Sequence, residues 1–161
     1  MEDLVQALQE TFAHEIPITT HLGITVASYN GESLILTAPL KQNINHKATA
    51  FAGSLNSLVT LAGWGLIWLM LKELNIVAKT VIQDSATRYI RPVTKDFSAR
   101  CHKPDASQIA RFEKMLREKG KARLELHVGV YEGEAIAVSF IGRYVSFVDM
   151  STNKKVTIKA E

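Results

Sequence analysis

Acid is missing from the middle of this chain: between Ser33 and Lys72 there is no Asp and no Glu. Chemistry carried by that stretch has to run without a carboxylate as base or nucleophile. Cysteine is nearly absent too. The single thiol, Cys101, excludes an internal disulfide and fits a reducing compartment. No neighbouring pattern activates it, so it reads as a packed strand residue. His14, His21, His46, His102 and His127 show no paired spacing, which leaves a metal site without support. Repeats, linkers and low-complexity tracts are lacking, so one domain is expected over 1–148, with a polar tail over 149–161. The opening "MEDLVQALQETF" carries acids and no basic n-region. It does not read as a secretory signal, and a cytoplasmic location is expected. The net charge of +3 is too small and too evenly spread to argue for nucleic acid. It does permit attraction to an acidic partner.

What is present is an ordinary globular composition, 47% hydrophobic and 22% charged over 161 residues, enough for a sizeable core. Residues 3–14 carry Leu4, Leu8 and Phe12 on one helical face. "LGITVASY" and "ESLILTAPL" flank Asn30-Gly31, a hairpin signal. A polar loop over 41–52 leads to a helix from about Gly53 to Leu74. "AKTVIQDSATRYIRPV" then reads as a long strand, with "KDFSARCH" as its neighbour. An amphipathic helix is predicted over 105–119, capped by Asp105, with Ile109, Phe112, Met115 and Leu116 inward. "KARLELHVGVY" and "EAIAVSFIGRYVSFV" follow, joined at Glu132-Gly133 as a second hairpin.

From Leu55 to Leu71 no residue is charged, although Trp64 and Trp68 are included. A bilayer span needs about 20 such residues. The run is near that limit, but Asn56, Ser57 and Thr60 cluster at one end. The alternative is a helix apolar on all sides because protein surrounds it. A curved antiparallel sheet around one central helix does that, and no membrane span is expected.

Hairpin, loop, buried helix and long antiparallel strands, in this order, resemble the hotdog fold. "NHKATAFAGSLNSLVTLA" resembles the loop and helix start of hotdog thioesterases, and "DSATRYIRPV" the strand that follows. The likeness covers roughly residues 20–100, and the strand order extends it to about 148. It implies an α+β chain built as a hotdog domain. Matched position by position, Asn45 falls on the family's active-site Asn and Thr49 on its Thr. Ala52 and Gly53 fall on the two glycines whose N–H groups meet the thioester carbonyl. Two positions depart. Phe51 stands where many thioesterases carry His, and Thr60 where they carry the catalytic Asp or Glu.

The chain also resembles the stand-alone bacterial malonyl-acyl-carrier-protein decarboxylases. That resemblance implies conversion of a malonyl thioester to an acetyl thioester, feeding initiation of fatty-acid synthesis, with no cofactor. A thioester losing CO₂ needs an anion-stabilising array and no base. Asn45, Thr49 and Thr60 are then the catalytic donors, and Ser54 and Ser57 line the site. Each has a plainer reading. Asn45 serves equally as a turn residue bonding its own backbone. Thr49 and Ser54 suit helix capping, and Thr60 suits a bond back to the preceding turn. His46 either meets a substrate carboxylate or sits in solvent. Phe51, like Trp64 and Trp68, is more at home in a core.

Arg88 and Arg91 fall near the pantetheine and phosphate of the family's substrates. Asp84 and Glu73 are the acids that would restore hydrolysis by reaching the pocket. The expected partners are an acyl-carrier-protein or CoA thioester and a second copy of the chain, as a homodimer or a dimer of dimers. An acyl thioesterase and a non-catalytic acyl-thioester binding module remain as alternatives.

Overall fold

The computed structural model of the chain describes residues 1–148. Its elements are α1 (Glu2–Glu15), α2 (Ile18–His21), β1 (Thr25–Tyr29), β2 (Ser33–Ala38), α3 (Ala52–Glu73), β3 (Lys79–Tyr89), β4 (Phe97–His102), α4 (Ala106–Lys119), β5 (Lys121–Glu132) and β6 (Ala135–Phe147). The strands alternate inward and outward as a half-buried sheet requires. Leu34, Leu36 and Ala38 of β2 are buried, and so are Phe97, Ala99 and Cys101 of β4 and Leu124, Leu126, Val128 and Val130 of β5. The result is one antiparallel six-stranded sheet, ordered β1-β2-β4-β5-β6-β3, curved around α3. This is the hotdog architecture that the order of elements predicts.

The central helix is buried over most of its surface, with Asn56, Thr60, Trp64 and Trp68 half-buried along one stripe. Leu58, Val59, Ala62, Leu66, Ile67 and Leu69 are each 0% exposed. Burial of one such leucine stabilises the fold by about 1.5–3 kcal/mol. Among the described residues α3 is the one helix long and apolar enough to cross a bilayer, yet 72% of its most apolar window lies inside the domain. Close approach is enforced at Gly63, where a Cβ would collide with the phenol of Tyr144. That phenol donates to the Thr60 carbonyl at 2.8 Å, tying α3 to β6.

Three expectations are corrected. β4 is not the neighbour of β3: β3 pairs with β6, while β4 lies between β2 and β5. The chain leaves the sheet after Tyr89, where the N–H groups of Ile90 and Arg91 both turn to the Ala137 carbonyl. Pro92 has no N–H to continue a ladder. The Val93 carbonyl accepts from Ala50 N, so the chain passes the start of α3 before it re-enters the sheet as β4. Met115 is the second correction, exposed on α4 while Phe112 and Leu116 are buried. Phe51 is the third: 55% exposed, it is no core residue. The cap of α4 is as predicted, with Asp105 accepting from Gln108 N in a capping box. The polar tail over 149–161 lies outside the described residues.

Candidate active site

The loop before α3 is built by one side chain. Asn45 Oδ1 accepts from Lys47 N at 2.8 Å and from Thr49 N at 3.2 Å. Its Nδ2 donates to Thr49 Oγ1 at 2.9 Å and to the Ala50 carbonyl at 3.4 Å. Those four bonds hold Ala48 at φ 59°, a left-handed conformation that costs a non-glycine residue about 1–2 kcal/mol. The plain turn reading of Asn45 is thus realised in full. His46 and Lys47 at the tip face solvent.

The loop delivers the chain to a helix end that no side chain caps. Phe51 occupies the N-cap position, and neither Thr49 nor Ser54 supplies the cap that their types suggest. Thr49 Oγ1 is taken by Asn45, and Ser54 is buried. The N–H groups of Ala52, Gly53 and Ser54 are therefore left without helical partners at the positive end of a 22-residue helix. The Phe51 ring folds over Gly53, where a Cβ would push the ring aside. Ser57 Oγ bonds back to the Gly53 carbonyl at 2.9 Å.

A pocket of about 330 Å³ opens at this helix end. Asn45, Thr49, Ala52, Leu55, Tyr89 and Arg91 line it, with the 90–93 backbone closing one side. The Tyr89 hydroxyl donates to the Ala52 carbonyl at 3.2 Å and so fixes that wall. Tyr89 and Leu55 are among the lining residues that reading the chain did not select. The signal for Tyr89 was strand alternation, which sets it on the opposite face to Arg88. A larger groove of about 730 Å³ lies between α1 and β1, with Glu2 and Glu10 among its lining residues.

No carboxylate lines the 330 Å³ pocket. Asp84 pairs with Arg143 at 3.1 Å. Arg143 precedes the inward-facing Tyr144, so that pair lies on the outer face of the sheet. Glu73 sits at the far end of α3, where it accepts from Tyr29 at 2.5 Å and Lys103 at 2.6 Å. Burial, then that bond, pushes the Tyr29 hydroxyl up to about 12. Glu132 stands nearer, close to Arg91 and Lys95, but both its oxygens are held by Thr94, through its N–H and its hydroxyl. Those bonds keep its carboxyl below the ordinary range. Cys101 is buried in β4 and burial pushes its thiol up to about 12, which leaves it inert at neutral pH. Among the described residues no three His, Cys, Asp or Glu side chains converge.

Of the residues selected from the sequence, Asn45, Thr49, Ala52 and Arg91 meet in the pocket. Gly53 and Phe51 stand beside them at the helix start. Thr60 lies two turns further along α3. Arg88 pairs across from Ser139 on the outer face of the sheet, away from the helix.

Residues 5–148 match the family model described as "Putative thioesterase (yiiD_Cterm)". The chain belongs to this family. Two solved structures are similar over nearly their whole lengths. A protein of unknown function from Chlorobaculum tepidum TLS is 36% identical, with a TM-score of 0.88, over 92% of this chain and 96% of its own. A "putative thioesterase" from Shewanella oneidensis is 32% identical, with a TM-score of 0.81, over 92% of this chain and 100% of its own. A third, a "Probable Thioesterase" from Pseudomonas aeruginosa, shares the fold at 19% identity and a TM-score of 0.76. Membership makes a thioester the expected ligand class.

Proposed function

We propose that the chain decarboxylates a malonyl thioester, converting malonyl-acyl-carrier protein to acetyl-acyl-carrier protein at the start of fatty-acid synthesis. The observation that carries this reading is a pocket of neutral donors at an uncapped helix end, with no carboxylate in its lining. Hydrolysis needs a base acting on water or a carboxylate that attacks directly. Decarboxylation needs neither. The bond between the carboxylate carbon and the α-carbon breaks, CO₂ leaves, and the electron pair passes through the α-carbon to the thioester oxygen. The resulting enolate takes one proton from water at the α-carbon, giving the acetyl thioester.

The N–H groups of Ala52 and Gly53 receive the oxygen on which charge develops. A single donor of this kind is worth about 10²–10³-fold in rate. Asn45 and Thr49 hold the loop that aims them. Phe51 walls the site from water, and Ser54, Ser57 and Thr60 supply neutral polarity along the helix. Arg91 at the pocket and Arg88 on the neighbouring outer face attract the phosphate of the pantetheine arm, whether carrier protein or CoA bears it.

The functional unit is a homodimer formed along β3. That strand ends the sheet with Val81 50%, Ile82 37% and Tyr89 49% exposed. An open edge of this kind is a template for another strand. Pairing of two copies there brings the Thr60 side of one helix toward the partner's Asn45 loop.

Purified protein given malonyl-carrier protein or malonyl-CoA should yield the acetyl thioester and CO₂ by mass analysis. Release of free malonate and free thiol alone overturns the reading. Asn45→Ala, which cuts all four loop bonds, should lower turnover by about 10²-fold. A thioester hydrolase is the second reading, favoured by the match of residues 5–148 to a thioesterase family model. It predicts thiol release from saturated acyl-CoAs, which a decarboxylase leaves intact.

A further inference from the structure

Along one side of α3, a row of polar contacts joins helix to strand β3. The Tyr89 hydroxyl reaches the Ala52 carbonyl, and one turn further the Thr87 hydroxyl donates to Asn56 Oδ1 at 2.7 Å. Two turns beyond that, Trp64 Nε1 donates to the Thr80 carbonyl at 3.0 Å. Thr60 lies on this same side of the helix, between Asn56 and Trp64. Ser85 shares the inward face of β3 with Thr87. The row is neutral throughout and starts at Tyr89, which lines the 330 Å³ pocket; Asn56 and Thr87 stand just beyond that lining, on the side of α3 that faces β3.

The Thr87 bond decides how Asn56 is presented. An amide oxygen only accepts, so a hydroxyl donating to Oδ1 turns the Nδ2 group away from Thr87. Among the described residues the two N–H donors of that group have no partner, and Asn56 is only half-buried. Asn45 is the opposite case. Its Nδ2 is spent on Thr49 Oγ1 and the Ala50 carbonyl, so it shapes the loop and has no donor left for a ligand.

We infer that Asn56, oriented by Thr87, is the side-chain amide that binds the negative oxygen of the thioester. The assignment rests on the thioester reading above and names the donor within it. Asn56 is the catalytic residue and Thr87 a positioning residue. As the bond to the carboxylate carbon breaks and charge moves to the thioester oxygen, an Asn56 N–H strengthens its bond to that oxygen. The amide loses no proton, and the α-carbon takes its proton from water.

The test compares kcat and KM of Asn56→Ala, Asn56→Asp, Thr87→Val and Thr87→Ser on malonyl-CoA, with melting temperatures to establish folding. Asn56→Ala and the isosteric Asn56→Asp should each lower kcat by about 10²-fold while KM moves less than about threefold. Thr87→Val should cost about 10-fold in kcat, and Thr87→Ser, which restores the hydroxyl, should recover most of it. A link that is merely structural lowers melting temperature and leaves kcat of the folded fraction unchanged. Folded Asn56 variants with kcat within about twofold of wild type overturn the inference while leaving the decarboxylase reading in place. If the wild type releases thiol instead, the decarboxylase reading falls and the same comparison is made on thiol release. Turnover of neither kind overturns both.

Discussion

The two edges of this sheet are treated in opposite ways. At β1 the edge is closed by residues of the same chain. Gln9 of α1 acts as a substitute strand, its Oε1 accepting from Val26 N at 2.7 Å and its Nε2 donating to the Ile24 carbonyl at 3.4 Å. A register shift between Val26 and Ser28 further spoils the edge for pairing. Tyr29 then fastens the strand's end to α3 through Glu73, where Lys103 also bonds and lies over the Tyr29 ring. At β3 the protection is slighter: a register shift falls between Ile82 and Asp84, and among the described residues the one side-chain bond to the strand's backbone is that of Trp64 Nε1 to the Thr80 carbonyl. Eleven residues run along the edge, with the apolar side chains of Val81 and Ile82 exposed on its two faces. An edge closed by local bonds is finished, whereas a long bare edge beside the candidate pocket suits a second copy.

The strongest way to break that contrast is to charge the bare edge. Val81→Asp leaves the isolated chain's core untouched, since Val81 is half exposed and points away from α3. Light scattering should show the assembly falling to a monomer, with thioester turnover down by about 10²-fold or more. An intact assembly, or an active monomer, refutes the β3 pairing.

A smaller effect is expected where the closed edge is fastened. Tyr29→Phe deletes the bond to Glu73 and should lower unfolding stability by about 1–2 kcal/mol in urea. Its pH dependence has a defined sign. An unfolded tyrosine ionises near 10, whereas Tyr29 in the fold holds its proton to about 12. Between those values the unfolded chain binds fewer protons, so stability falls as pH rises. For Lys103, burial alone would lower the ammonium's value, but the bonds to Glu73 and Tyr29 leave it raised. Its contribution is complete below 10.5 and is lost above. Urea midpoints taken from pH 9 to 11 should decline in the wild type and decline less in Tyr29→Phe.

The smallest effect should come from Gln9→Ala. Loss of the plug costs about 1 kcal/mol, and the freed N–H of Val26 gives β1 a weak tendency to associate, visible as concentration-dependent scattering. A variant as stable and as monodisperse as wild type would show that the bulge alone protects this edge.

Much of this contrast was not legible in the chain. The long strand ending in "RYIRP" can be read from its pattern, but its place at the end of the sheet cannot. Consecutive strands are neighbours in only about two-thirds of cases, and here the passage around Pro92 separates β3 from β4. Gln9 looks like any exposed glutamine of an amphipathic helix, and its role depends on where α1 comes to rest. Residue type was equally ambiguous at the site. Asn45 and Asn56 are both asparagines near a helix start, and their side-chain partners alone tell the closed amide from the open one.

Local properties decided the rest without help from tertiary contacts. Runs of alternating apolar residues, an uncharged helix too apolar for any surface, Asn30-Gly31 and the Asp105 cap dictate an α+β chain wrapped around one helix, because each is set by bonds and burial within a few residues. The want of acids from Ser33 to Lys72 likewise excluded a carboxylate from the loop and the helix start. Which acids from elsewhere come close, which N–H groups stay unpaired and which edge stays open are matters of distance between remote segments. Only the folded chain settles those, since curvature of the sheet around α3 determines what meets what.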